Sequence, residues 1–120
     1  KHISNIKKAL GISGIRTVES GWFSRAEGGA QIDLVIDRAD ACINLCEAKF
    51  YNGPYSVTED DAKQLERKKF IFREQTKTRK TLFTTLISPF GAKKNQHYLA
   101  SVDNQLTMDI FFESTNDKSG

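Results

Sequence analysis

The sequence predicts an α/β domain: a mixed central sheet with helices against both faces. Three stretches carry that expectation. Residues 2–11, HISNIKKALG, place Ile3, Ile6, Ala9 and Leu10 at helical spacing. Residues 31–50, QIDLVIDRADACINLCEAKF, read as two short strands about a tight turn. Residues 58–76 read as a capped helix and are followed by TLFTTLIS, an apolar, β-branched run. The resulting order is helix, strand, strand hairpin, helix, strand, strand.

Each element has a local reason. Gly11 is a natural stop for the first helix. Ile15–Val18 is expected to form a first short strand, and 19–30, ESGWFSRAEGGA, a connection or edge turn, with Trp22 and Phe23 read as core or lid packing and not as a base-stacking platform. In the hairpin, Ile32, Leu34 and Ile36 alternate with Gln31, Asp33, Val35 and Asp37 before Ile43 and Leu45 lead into Glu47-Ala48-Lys49. Residues 50–57 contain Asn-Gly-Pro and form a loop. Thr58 is the expected N-cap, with Glu59, Asp60 and Asp61 in the first turn, where negative charge complements the helix dipole. Ala62, Leu65 and Phe72, with the stem of Lys69, make its apolar stripe; Gln64, Lys68, Ile71 and Gln75 lie beside it. Pro89 and Gly91 end the run at 81–88. After a polar loop at 92–96, the expectation is a strand at 97–102, a turn at 103–105 and a closing segment at 106–112 packed by Met108, Ile110 and Phe111.

At 120 residues the chain is one domain, taken as residues 1–112 with a polar tail at 113–120. It starts at Lys1 without a Met, which suggests a piece of a longer polypeptide. No apolar run approaches the roughly 20 residues of a membrane span, and no signal-peptide pattern is present, so a cytoplasmic protein is expected. Cys42 and Cys46 fall four positions apart on one predicted strand, roughly 13 Å between Cα atoms, too far for a disulfide. They read as buried thiols in a reducing compartment. The Gly11–Gly14 stretch lacks the Gly-Lys-Ser/Thr of a P-loop. His2 and His97 stand isolated, and no Ser–His–acid set is evident.

The net charge of +3 hides a sharp division. Residues 26–61 carry eight acids against Arg38 and Lys49, a balance of −6. Residues 62–80 carry eight bases against Glu66 and Glu74, a balance of +6. An acidic cluster able to hold a cation, beside a basic helix, suits a phosphodiester substrate; it also suits an ordinary solvated helix.

The register of the hairpin decides whether its acids meet. A three-residue turn centred on Asp40 sets Asp33 across from Glu47, and two carboxylates and Lys49 then converge on one face. A two-residue turn sets Cys46 there instead. An acid between Ile32 and Leu34 is costly unless paired or bound, which favours a role for Asp33.

An Asp on one strand of a hairpin and Glu-x-Lys on the next, in αβββαβ order, resembles the PD-(D/E)xK nuclease superfamily, whose fold is restriction-endonuclease-like. Asp33 and Glu47-Ala48-Lys49 match that motif, and Gln64 sits on the helix where many members carry a glutamine. More narrowly, HISNIKKALGI, GGAQIDLVIDR and NLCEAKF resemble the C-terminal nuclease-like domain of the archaeal-type AAA ATPases of prokaryotes. The resemblance covers most of residues 1–112. It implies hydrolysis of DNA phosphodiester bonds, an ATPase domain upstream in the same polypeptide, and a homodimer as one arrangement, since many enzymes of this fold act on two strands. Its alternative is a nuclease-fold module without catalysis that binds DNA or protein for the ATPase. Three departures stand out. Ile32 replaces the motif's proline, residues 2–10 lack the acid that active members place on the first helix, and Lys68 stands where some subfamilies have tyrosine. The resemblance leaves Glu19, Glu27 or an acid upstream of Lys1 as candidates to stand in for the missing acid.

The residue types suit the chemistry by themselves. Asp33, Glu47 and the Ala48 carbonyl are hard oxygen ligands for Mg²⁺ or Mn²⁺. Such an ion polarises phosphoryl oxygen and acidifies bound water. Lys49 is placed to stabilise developing negative charge, and Gln64 to orient water. Lys68, with Arg67 and Lys63 on the same helix, is expected to meet phosphate.

Overall fold

The computed structural model describes residues 3–24 and 28–107. Its elements are α1 (Ile3–Leu10), β1 (Thr17–Phe23), β2 (Gln31–Arg38), β3 (Cys42–Ala48), β4 (Tyr55–Ser56), α2 (Glu59–Thr76), β5 (Thr81–Ile87), β6 (Ala92–Lys93), α3 (Gln96–Ser101) and β7 (Asn104–Leu106). Five strands form one mixed sheet in the order β1-β2-β3-β5-β7. The first three are antiparallel, and β3, β5 and β7 run parallel. The short strands β4 and β6 pair beside this sheet.

Alternation along the strands splits the core into two faces. On one, Ile6 of α1 packs with Ile36, Cys46, Ile87 and Leu106. On the other, Phe72 of α2 packs with Val35, Ile43, Leu45 and Leu82, and Leu65 with Leu86, Tyr98 and Val102. Trp22 joins the second face edge-on to Phe72, with ring centroids 5.0 Å apart. Helices therefore cover both faces, as the pattern of elements predicts.

The β2–β3 hairpin takes the three-residue turn. Asp37 pairs with Ile43 and Leu34 with Cys46, a register whose next step sets Asp33 across from Glu47. Ala41 occupies the left-handed region at φ 66, and the Arg38 guanidinium braces the turn through Asp40 at 2.9 and 2.6 Å. On its other side, β2 carries a bulge. The ladder steps from Ser20↔Val35 to Trp22↔Ile32, so Gly21 alone faces both Asp33 and Leu34. The simple alternation expected from the sequence breaks here. Ile32 joins Val35 under α2, whereas Leu34 and Ile36 pack beneath α1.

Three expectations are corrected. Strand β1 runs through Phe23, well beyond Val18, because 17–22 pair with β2 although most of their side chains are exposed. Residues 97–101 belong to a helix and not to a strand, with Val102 its extended C-cap: Asn95 caps α3 by accepting from the Tyr98 N–H at 2.9 Å, and Tyr98 and Val102, four apart, bury one side. The last strand of the sheet is β7 at 104–106, where a turn was expected. Asp103 clamps it to β5, accepting from the Thr84 N–H at 2.7 Å, and Thr85 donates to Asn104 at 2.7 Å. The segment packed by Met108, Ile110 and Phe111, the tail at 113–120, His2 and Glu27 lie outside the described residues.

Helix α2 begins where the sequence predicts. Thr58 Oγ1 accepts from the Asp61 N–H at 3.1 Å, and Asp61 Oδ2 accepts from the Thr58 N–H at 3.0 Å, a reciprocal capping box. It ends at Lys77 in the left-handed region, whose N–H returns to the Arg73 carbonyl. Thr58→Ala removes one half of the box and is expected to cost about 1 kcal/mol. Urea unfolding followed by circular dichroism checks this; an unchanged midpoint would show that packing alone sets the start of α2.

Candidate functional site

The motif side chains gather where the C-terminal end of β3 meets the first three turns of α2. Glu47, Lys49, Asp61, Gln64, Leu65 and Lys68 line a pocket of about 180 Å³. Strand alternation places Glu47 and Lys49 on the α2 side, and Asp61, Gln64 and Lys68 recur at helical spacing on the facing stripe of α2. Asp33 sits at the bulge of β2, exposed, with its Oδ2 3.4 Å from the Ala48 N–H.

Glu47 is the unusual residue. Only 7% exposed, it meets Lys68 Nζ at 2.8 Å through Oε2. Burial pushes its carboxyl above the ordinary 4.5; Lys68 and Lys49 pull it down, and the charge of Asp33 adds to the rise. The Asp33 effect places the two acids within each other's field. Their carboxylate oxygens and the Ala48 carbonyl between the motif residues are of the type a hard divalent cation takes. The fit is partial, since among the described residues no three His, Cys, Asp or Glu side chains come together.

Asp61 belongs to the pocket, although the sequence offers it only as a capping residue. Burial alone would raise its pKa; hydrogen bonds from the Tyr55 hydroxyl and from Thr58, with Lys49 nearby, outweigh it and hold the carboxylate below its usual range. It is thus committed to the cap and to Tyr55, and it fixes the wall of the pocket. Its spacing from Gln64 and Lys68 is the signal that could have revealed it. Lys49 lies with its Nζ 5.9 Å from the centre of the Tyr55 ring.

The remaining basic residues divide. Lys68 is in the pocket, half-buried against Glu47. Arg67 spends its guanidinium on the Gly29 carbonyl at 3.3 Å, tying the β1–β2 loop to α2. Lys63 forms an exposed pair with Glu59 at 3.7 Å, one turn from the pocket wall. Glu19 pairs across from Ile36, accepts the Thr17 hydroxyl and does not line the pocket. Cys46, on the opposite face, is inert; burial pushes its thiol up to about 12.

Comparison with known proteins adds the fold alone. No family model matches the chain, and no curated protein matches it. Among solved structures it is similar to the crystal structure of a protein of unknown function, AF1548, with a TM-score of 0.62 and 16% identity. The match covers 96% of this chain and 64% of that one, so the chain spans less than two thirds of its neighbour's length.

The raised Glu47 pKa has a signed consequence. The fold favours the protonated acid, so Glu47 supports stability below about pH 4.5 and loses that support as the pH climbs through the raised folded value. Glu47→Gln is therefore expected to melt at or above the parent's temperature at pH 7, with the difference gone below pH 4.5. Thermal melts at both pH values check it; a Glu47→Gln protein that melts lower at neutral pH would mean the Lys68 pair outweighs burial.

Proposed function

We propose that this domain is a metal-dependent, nuclease-like module that hydrolyses DNA phosphodiester bonds, as the C-terminal part of a larger cytoplasmic ATPase. The observation that carries this reading is the hairpin register. Carried one step beyond Leu34↔Cys46, it brings Asp33 level with Glu47, with Asp33 Oδ2 3.4 Å from the Ala48 N–H, beside a pocket that also holds Lys49, Gln64 and Lys68. The PD-(D/E)xK resemblance supports it.

In this reading Asp33, Glu47 and the Ala48 carbonyl hold Mg²⁺ or Mn²⁺. When bound, such an ion supplies Lewis acidity and a water acidic enough to attack near neutral pH. Lys49 offsets charge that builds on the scissile phosphate. Gln64, exposed on α2, orients the attacking water. Lys68 has two anions to serve: it pairs with Glu47 in this structure, and it would be free to meet a phosphate were Glu47 to hold a cation instead. Lys63 and Arg67 extend the basic surface along α2, Arg67 from its anchorage on Gly29. Partners in this reading are DNA, an upstream ATPase domain and a second copy of the chain.

One observation favours the second reading, a non-catalytic module that binds DNA or protein. Lys68 already neutralises Glu47, and no third acid joins the pair among the described residues.

Calorimetric titration of Mn²⁺ and Mg²⁺ separates the two. Binding by the parent that disappears in an Asp33→Ala, Glu47→Ala double variant supports the first reading and is expected to accompany metal-dependent DNA cleavage. Two folded proteins that bind neither ion would sink it and leave the second. Because Lys68 competes with the cation for Glu47, Lys68→Met is expected to tighten Mn²⁺ binding severalfold while weakening DNA binding. Looser Mn²⁺ binding in that variant would argue that Glu47 is not a ligand.

A further inference from the structure

Aromatic side chains left in water crowd the C-terminal edge of the sheet. Phe50 is 68% exposed, Tyr51 51% and Phe90 52%. Two loops bring them to the same edge. Strand β3 ends beside β5, where the Lys49 N–H reaches the Ile87 carbonyl at 2.8 Å, and Phe50 and Tyr51 follow directly. Beyond β5, Ser88 to Gly91 closes a turn through the Gly91 N–H and Ser88 carbonyl at 3.0 Å, with Phe90 in its corner. The Tyr55 N–H bonds the Gly91 carbonyl at 2.9 Å and stitches the loops together. Tyr51 is stacked on Tyr55, centroids 5.0 Å apart and planes 17° from parallel, so one ring face is already braced. Tyr55 in turn is held through Asp61 on the wall of the acidic pocket.

The two loops themselves carry charge of one sign, and the acids of the pocket, Glu47 and Asp61, border them. Residues 48–57 and 89–102 contain Lys49, Lys93 and Lys94 and no Asp or Glu. Strand β6 sets Lys93 across from Ser56, and both Lys93 and Lys94 are exposed. Open aromatic faces among cations suit a polyanion with flat apolar groups of its own; bases stack on the rings while lysines take the phosphates. In a duplex, base faces are occupied by neighbouring bases and cannot serve.

We infer that this edge binds unpaired nucleotides, with Phe50, Tyr51 and Phe90 stacking on bases and Lys49, Lys93 and Lys94 meeting the backbone. The inference rests on the phosphodiester reading for its substrate class and sharpens it. The strand at the acidic pocket is single-stranded, frayed or flapped, delivered past the aromatic edge.

The test reads binding without chemistry. Anisotropy of a fluorescein-labelled oligothymidylate, and of a duplex of the same length, is titrated with the full chain in EDTA. Tighter binding of the single strand is expected. A Phe50→Ala, Tyr51→Ala variant is expected to lose about tenfold or more of that affinity, as the loss of stacked bases does. Its Mn²⁺ titration and its circular dichroism should match the parent's. Phe90→Ala, a change at an exposed turn, gives the same reading independently. Equal affinity for both nucleic acids, no binding of either, or variants that alter only self-association in sedimentation would overturn the inference. Single-strand binding that depends on these rings in a protein that binds no metal would uphold it while the catalytic reading fell.

Discussion

Everything at the acidic pocket depends on the register of one hairpin. Side chains on a strand have a period of two, so a turn shorter by one residue would move the whole of β3 relative to β2 and set Cys46 across from Asp33. The three-residue turn is held by Ala41 in a backbone region that L-residues avoid, by the Arg38–Asp40 pair, and by the Thr81 N–H on the Ala41 carbonyl at 3.0 Å. That last bond links the turn to the parallel strand β5. The sheet therefore resists slippage from both sides of β3.

The second constraint is electrostatic. A nearly buried carboxylate is costly, and Lys68 offsets that cost incompletely, since the carboxyl of Glu47 still favours its proton more than a free glutamate does. A hydrophobic residue here would extend the cluster formed by Leu45, Val35 and Phe72 on the same face. Maintaining a charge at this point is a sacrifice of stability that a bound cation would relieve. Asp33 differs: the β2 bulge puts it in water, where its charge costs little, yet close enough to act on Glu47. One acid is tuned by burial and the other held open, and the two meet at the boundary between core and solvent.

Around this pair the rest of the molecule is scaffold. The capping box that starts α2 shares Asp61 with the pocket wall and with Tyr55, so helix initiation, the β4–β6 ribbon and the aromatic edge meet at one carboxylate. On the opposite face a polar chain crosses the sheet from Arg38 through Asn44 and Thr85 to Asn104. It satisfies the buried Asn44 and Thr85, runs across four neighbouring strands and ties β7 into the sheet.

Local patterning is enough to read off the mixed α/β class, both main helices, the hairpin, the N-cap at Thr58 and the motif residues. All of these follow from patterns within about twenty residues: apolar periodicity, capping chemistry, and an acid where an apolar strand should tolerate none. Tertiary structure alone decided the rest. The sequence left two hairpin registers open, because local propensity does not choose between turns of two and three residues. Strand β1 escaped notice beyond Val18 since its side chains are mostly exposed and its partner lies in β2. Residues 97–101 are too few to show a period, and only the cap at Asn95 and burial of Tyr98 and Val102 against α2 make them helical. Residues 104–106 look like a turn until Asp103 and Asn104 bond to β5. The Glu47–Lys68 pair spans 21 residues, and the meeting of Phe50 and Tyr51 with the Phe90 turn spans about twice that. Such distances are closed only when the parallel strands β3 and β5 come together, and no local signal records that they do.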